Sequence, residues 1–220
     1  MNKRTQIPTH FQYVIVIAMP VVVFWLFWKI SMTRSVSISV VEPRVEVTYE
    51  MVWGFGLKQR VSVSAHRLQF FGASSGWIEI YDKNYNSGVS VYRTLGGETL
   101  YFGTGYKLYK YQLSSRELQT SCSKDFIPAV NSFGSKLLNS RTENKIQELD
   151  PGSIDLWNYL EEGQVGSHLP KESRKSRYYK NLVYEGRFGL VRSRGKLLKV
   201  GFAPADKSAE PRFGLHFSCG

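Results

Sequence analysis

The sequence predicts a mainly β protein, with one N-terminal transmembrane helix followed by an antiparallel β sandwich or barrel-like domain carrying a short helical insertion. Three observations predict it. Residues 11–28 read FQYVIVIAMPVVVFWLFW, an apolar run whose only strongly polar side chain is Gln12. From Ser35 onward, β-branched and aromatic residues recur at every second position in many short segments. Clusters of Gly, Asn, Asp and Ser separate those segments as turns.

The apolar run comes first in the chain. As a helix, residues 11–28 would be about 27 Å long, close to the roughly 30 Å hydrocarbon core of a bilayer. Ile30 and Met32 extend it to 11–32, because Lys29 can snorkel its ammonium to the headgroups. Tyr13 at one end and Trp25 and Trp28 at the other suit the membrane interface. Pro20 removes one backbone hydrogen bond and predicts a kink. A cleaved signal peptide is the competing reading. The run exceeds the usual apolar core of such peptides and no Ala-x-Ala-like site follows it, so a single-pass signal-anchor is expected. Residues 1–10 are then a short tail and 35–220 the β-rich domain. Basic residues flank the run on both sides, Lys3 and Arg4 before it and Lys29, Arg34 and Arg44 after it, so charge nearly fails to orient it.

The chain has 220 residues, 42% of them hydrophobic and 14% aromatic, enough for one domain with a packed core beyond the anchor. Its formal net charge is +11. The excess is local: residues 171–199 hold ten basic side chains against Glu172 and Glu185. Cys122 and Cys219 are the only thiols. A disulfide between them would close a long loop in an exported domain, and this tips the expected location of the domain to outside the cytoplasm. Spacing alone does not fix that pairing, and two separate buried thiols would fit as well.

In the soluble part, Val36, Ile38 and Val40 alternate with serines, and Val45, Val47, Tyr49 and Met51 alternate with polar residues, predicting two half-buried strands. Further strands are predicted at 60–65, 67–71, 77–81, 89–94, 99–102 and 106–113. Phe126, Val130, Phe133 and Leu137 share a helical face behind Asp125, a candidate cap. A second helix is predicted from Asp150-Pro151 through Ile154, Leu156, Trp157 and Leu160, giving a helical insertion over about 125–162. Strands return at 178–184, 187–192, 196–203 and 212–218.

Candidate chemistry is sparse. Gly72-Ala73-Ser74-Ser75-Gly76 matches Gly-x-Ser-x-Gly, with Asp155 and His168 or His216 following in the order of a serine hydrolase. That elbow needs a helix behind it, whereas Trp77–Tyr81 alternates as a strand, so a small-residue turn is the expected role of Ser74. Asp82-Lys83-Asn84-Tyr85-Asn86 resembles the start of a calcium loop, but Ser87 stands where Gly is required and Arg93 where Glu is required. Gly103-Thr104-Gly105-Tyr106-Lys107 lacks the spacing of a phosphate loop. The four histidines share no metal-ligand spacing, and no metal or cofactor is expected.

The strongest remaining feature is the basic segment, where Arg174, Lys175, Arg177, Lys180, Arg187, Arg192, Arg194 and Lys196 are interleaved with Tyr178, Tyr179, Tyr184 and Phe188. Such a surface attracts an anionic lipid, a glycan or a nucleic acid, or simply keeps a domain soluble. The sequence thus predicts a non-enzymatic, membrane-anchored binding or scaffolding domain. Its expected partners are the bilayer through residues 11–32, a protein of a membrane or envelope assembly, and an anionic lipid or polymer. The alternatives are a tethered hydrolase using Ser74 and a domain that binds anionic lipid or nucleic acid through the 171–199 basic segment.

Overall fold

Alternation in the first strands sets the architecture, because every second side chain must leave water on the same face. The structure is a computed structural model that describes residues 9–40, 45–54, 56–64, 72–80, 87–104, 107–120, 159–170, 174–177, 179, 181–193 and 196–211, with backbone alone at 9–17 and 196–198. Strand β1 (Thr33–Val40) pairs antiparallel with β2 (Val45–Val52), and β2 pairs with β3 (Lys58–Ser64). Their inward residues, Ile38, Val40, Val45, Val47, Tyr49, Met51, Val61 and Val63, are buried in one apolar cluster. The far edge of β3 is covered by two short pieces, β4 (Ala73–Ser74) and β5 (Ile78–Glu79).

The second sheet contains β6 (Val89–Thr94), β7 (Thr99–Gly103), β8 (Leu108–Gln112) and β9 (Glu117–Thr120) as a meander. On the other side of β6 runs β12 (Leu182–Ser193), twelve residues long, followed by β13 (Lys196–Pro204). Two further pieces complete the neighbours of β12. Parallel β10 (Leu160–Glu161) pairs beside its C-terminal end, and β11 (Arg174–Lys175) pairs beside its N-terminal end.

The sheets share one core. Val89, Val91, Leu100, Phe102, Tyr109, Tyr111, Phe188, Leu190 and Phe202 of the second sheet join the cluster of the first. Tyr49 stacks on Phe188 with ring centroids 5.3 Å apart, and Phe188 meets Phe202 at 4.9 Å. One polar junction lies inside this interface. Gln59 is fully buried, and its Oε1 accepts hydrogen bonds from the Tyr49 hydroxyl at 2.8 Å and the Gly88 amide at 3.1 Å. At one edge the segment 166–168 bridges both sheets, His168 to Ser39 of β1 and Gly166 to Phe202 of β13.

A single helix, α1 (Thr9–Met32), precedes β1 with no residue between them. It continues through Pro20. Its described large side chains, from Met19 to Ile30, are 43–74% exposed. Among the described residues no helix is long and apolar enough to cross a membrane, so the transmembrane span expected over 11–32 is unsupported by that measure. Side chains of α1 are described only from Ala18, and residues 18–32 reach about 22 Å, short of a roughly 30 Å hydrocarbon layer.

Several predicted boundaries move. The strand predicted at 106–113 is the shorter β8, and β9, which follows a turn where Arg116 takes φ 58°, was not predicted. The strands predicted at 178–184 and 187–192 are one strand, since Glu185-Gly186 makes a bulge rather than a break. Leu160, expected on a helix, lies in β10, and residues 162–164 form one turn of 3-10 helix. The rest of the helical insertion over 125–158, and the strands predicted at 67–71 and 212–218, lie outside the described residues.

Candidate functional site around strand β12

The bulge in β12 decides where its charged side chains go. Tyr184 pairs with Tyr92 and Gly186 with Val91, so Glu185 is an extra residue between successive rungs. Gly186 has φ 142°, and a Cβ there would collide with the Ala203 carbonyl oxygen and the Phe202 ring, so only glycine fits. Past the bulge, Phe188 and Leu190 point into the main core. Val191 joins Leu160 and Ala203 in a small cluster with Val165 packed on it. Before the bulge, Leu182 and Tyr184 join Tyr92, Tyr101, Leu108, Tyr179 and Ala205 in another cluster.

Two carboxylates are buried beside this strand. Glu185 is 1% exposed and accepts from Arg93 Nε at 2.6 Å. Glu210 is 8% exposed; one oxygen accepts from the Ser176 hydroxyl at 2.6 Å and the other from the Arg177 amide at 2.7 Å. Ser176 Oγ in turn accepts from the Tyr179 amide at 3.0 Å. Glu210 therefore clasps the segment from β11 to Tyr179 over the tyrosine cluster. Burial pushes the Glu210 carboxyl above its ordinary pKa, opposed by its hydrogen bonds to Ser176 and the Arg177 amide. The Tyr92 hydroxyl beside it is buried with no hydrogen bond of ordinary geometry, although the Glu210 carboxylate is near enough to raise its pKa further after burial itself. Burial also pushes Tyr184 up to about 12.

Against this frame the predicted basic residues separate. Arg174, Lys175 and Arg177 are exposed at the β11 end. Arg192 lies eight residues along β12 from Tyr184, the partner of Arg174, a distance of roughly 26 Å in a strand. Its guanidinium sits 4.5 Å from the Tyr159 ring centroid and 4.0 Å from Glu161. Lys196 pairs with Ser193 at the hairpin end near exposed Lys199. Between the two ends, Arg187 is largely withdrawn from water. It donates through Nη2 to the Tyr159 carbonyl at 2.7 Å, its Nε has no hydrogen-bond partner, and burial lowers its pKa. The segment thus presents two basic ends with a half-buried arginine between them. Lys180 and Arg194 lie outside the described residues.

Ser74 is exposed on β4, and its Oγ accepts from the Gly76 amide at 3.3 Å. His168 lies at the opposite edge of that sheet, beside β1, and three strand spacings of about 4.8 Å separate the two edges. The structure does not bring Ser74 and His168 together; Asp155 and His216 lie outside the described residues. The segment after Ser74 is β5, a strand. Cys122, Cys219 and the 82–86 loop also lie outside them, and no cluster able to hold a metal occurs among the described residues.

Sequence reading missed Glu210, Glu185 and Tyr159. Glu185 had a weak signal, as an acidic residue before glycine in a basic run. Glu210 and Tyr159 had none, since their partners are 33 and 28 residues away. No protein-family model, no curated protein and no solved structure matches this chain.

Proposed function

We propose that the chain is a single-pass membrane protein whose β domain is a non-enzymatic binding or scaffolding module held outside the cytoplasm. The observation that carries this reading is the surface of α1. Its side chains from Met19 to Trp28 and Ile30 are exposed and the helix is apolar on every side. Each such side chain gains about 1.5–3 kcal/mol on leaving water, and a helix apolar all round belongs in a core or a bilayer. Residues 11–17 continue the apolar sequence, and α1 as a whole is about 36 Å long, against a roughly 30 Å hydrocarbon layer. Tyr13 at its start and Trp25 and Trp28 at its end stand at the two interfaces.

The domain it carries contributes surfaces rather than a reaction centre. Its buried polar groups are clasps between strands, and its exposed cations gather at Arg174, Lys175 and Arg177 and at Arg192 and Lys199. We assign these two ends to a partner of opposite charge, an envelope protein or an anionic polymer. Thiol labelling of Cys122 and Cys219 in intact cells tests the orientation, and labelling only after lysis or reduction is read against a cytoplasmic-side control. Ester hydrolysis lost in Ser74→Ala would replace the binding module with a hydrolase. Charge reversal at Arg192 and Lys199 is expected to abolish salt-sensitive capture of a polyanion; capture that survives it would remove the basic hairpin from the account.

A further inference from the structure

The junction between α1 and the first sheet has no slack. Met32 ends the helix and Thr33 starts β1. The last turn is tied down from three directions. Thr33 Oγ1 donates to the Lys29 carbonyl at 2.7 Å, Arg34 Nη1 to the Ser31 carbonyl at 2.7 Å, and the Trp53 amide to the Met32 carbonyl at 3.0 Å. Carbonyls that a helix end normally leaves to water are therefore satisfied by the domain. The turn after β2 sits against the helix: a Cβ on Gly54 would be 3.8 Å from Trp28 Nε1. Trp53 and Leu57, on either side of that turn, pack on the main core.

We propose that α1 and the first sheet are one rigid piece, so that the β2–β3 turn around Trp53 and Gly54 rests on the headgroup layer of the bilayer, with Lys29 and Arg34 meeting anionic lipid. This deepens the anchor reading and rests on it. Charge agrees with the assignment. Lys29 lies 4.9 Å from the Trp25 ring centroid, an arrangement suited to the interface, and Arg34 is exposed. Lys58, at the start of β3, is paired with Glu79 at 3.0 Å and adds little. Indole rings such as those of Trp28 and Trp53 settle at the headgroup level, while ammonium and guanidinium groups reach the phosphates. A tethered domain on a flexible linker would tumble; this one has its attitude to the membrane fixed by the Trp53–Met32 backbone hydrogen bond and the two side-chain bonds to the last turn.

The test uses the full chain in phosphatidylcholine–phosphatidylglycerol vesicles, with lipids brominated either just below the headgroups or at mid-chain. Two single-tryptophan variants retain Trp25 or Trp53, the other tryptophans being phenylalanine. Quenching of Trp25 reports insertion of α1, and its absence defeats the anchor itself. With Trp25 quenched, the proposal expects Trp53 to be quenched by the shallow bromines and released when Gly-Ser-Gly-Ser is inserted between Met32 and Thr33. An unquenched Trp53, or quenching that the insertion leaves unchanged, overturns it. Hydrogen exchange on the unsubstituted chain gives the second measurement. Amides 52–58 should exchange more slowly on vesicles containing phosphatidylglycerol than in neutral detergent, and equal rates contradict the docking.

Discussion

Gly186 shows how much one residue can decide. It combines a positive φ with contact against the Ala203 carbonyl and the Phe202 ring, so Gly186→Ala meets both backbone strain and overlap. The expected loss is about 2–4 kcal/mol, read by urea unfolding of the detergent-solubilised chain. Glu210 acts through its charge. Its carboxyl pKa is raised above 4.5 in the folded state, so the native protein holds the proton more tightly than the unfolded chain. This contribution is fully present below pH 4.5 and is lost as pH rises through the folded pKa. Stability measured over that window should therefore fall with rising pH in the native sequence and flatten in Glu210→Gln. A slope unchanged by the substitution would assign the titration elsewhere. Tyr92→Phe removes a buried hydroxyl with no hydrogen bond of ordinary geometry, so it should leave stability within about 0.5 kcal/mol or raise it.

At the scale of elements, β12 is the strand on which the second sheet is assembled, and the bulge joins it to β6 through Glu185 and Arg93. Arg93→Met leaves a buried carboxylate alone and should cost about 3–5 kcal/mol, while the double change with Glu185→Leu should recover much of it. Denaturant midpoints of the two variants check this. The elements most legible in the sequence were those with strict alternation. Strand β6 matches the predicted 89–94, β1 and β2 carry the predicted inward residues, and β3 overlaps the predicted 60–65. Alternation marks a strand that buries one face, and these do. Where burial came from both sides the pattern was lost: β12 is buried at nearly every position from Leu182 to Val191, and its bulge read as a turn. Leu160 was misread because a short apolar group fits helix and strand alike until a neighbour such as Val191 is known. The basic segment was legible as composition but not as a surface, since the withdrawal of Arg187 depends on the Tyr159 carbonyl.

Among the described residues, two mainly antiparallel sheets enclose one core, and the apolar helix α1 leaves it without a linker. The tyrosines of the core set its alkaline limit. Burial raises Tyr92, Tyr101 and Tyr49, and pushes Tyr109 and Tyr184 up to about 12. The unfolded chain therefore ionises first, and stability should decline above about pH 10 as its tyrosines release protons. Phenolate absorbance during an alkaline titration should show these groups ionising together with unfolding rather than before it. The account as a whole depends on α1 remaining attached and buried in lipid. Alkaline carbonate extraction of membranes from cells expressing the full chain, followed by intact-mass analysis, is its most direct test. The prediction is a pelleted protein whose mass includes residues 1–32; a protein released to the supernatant, or a chain that begins after Trp28, would contradict it.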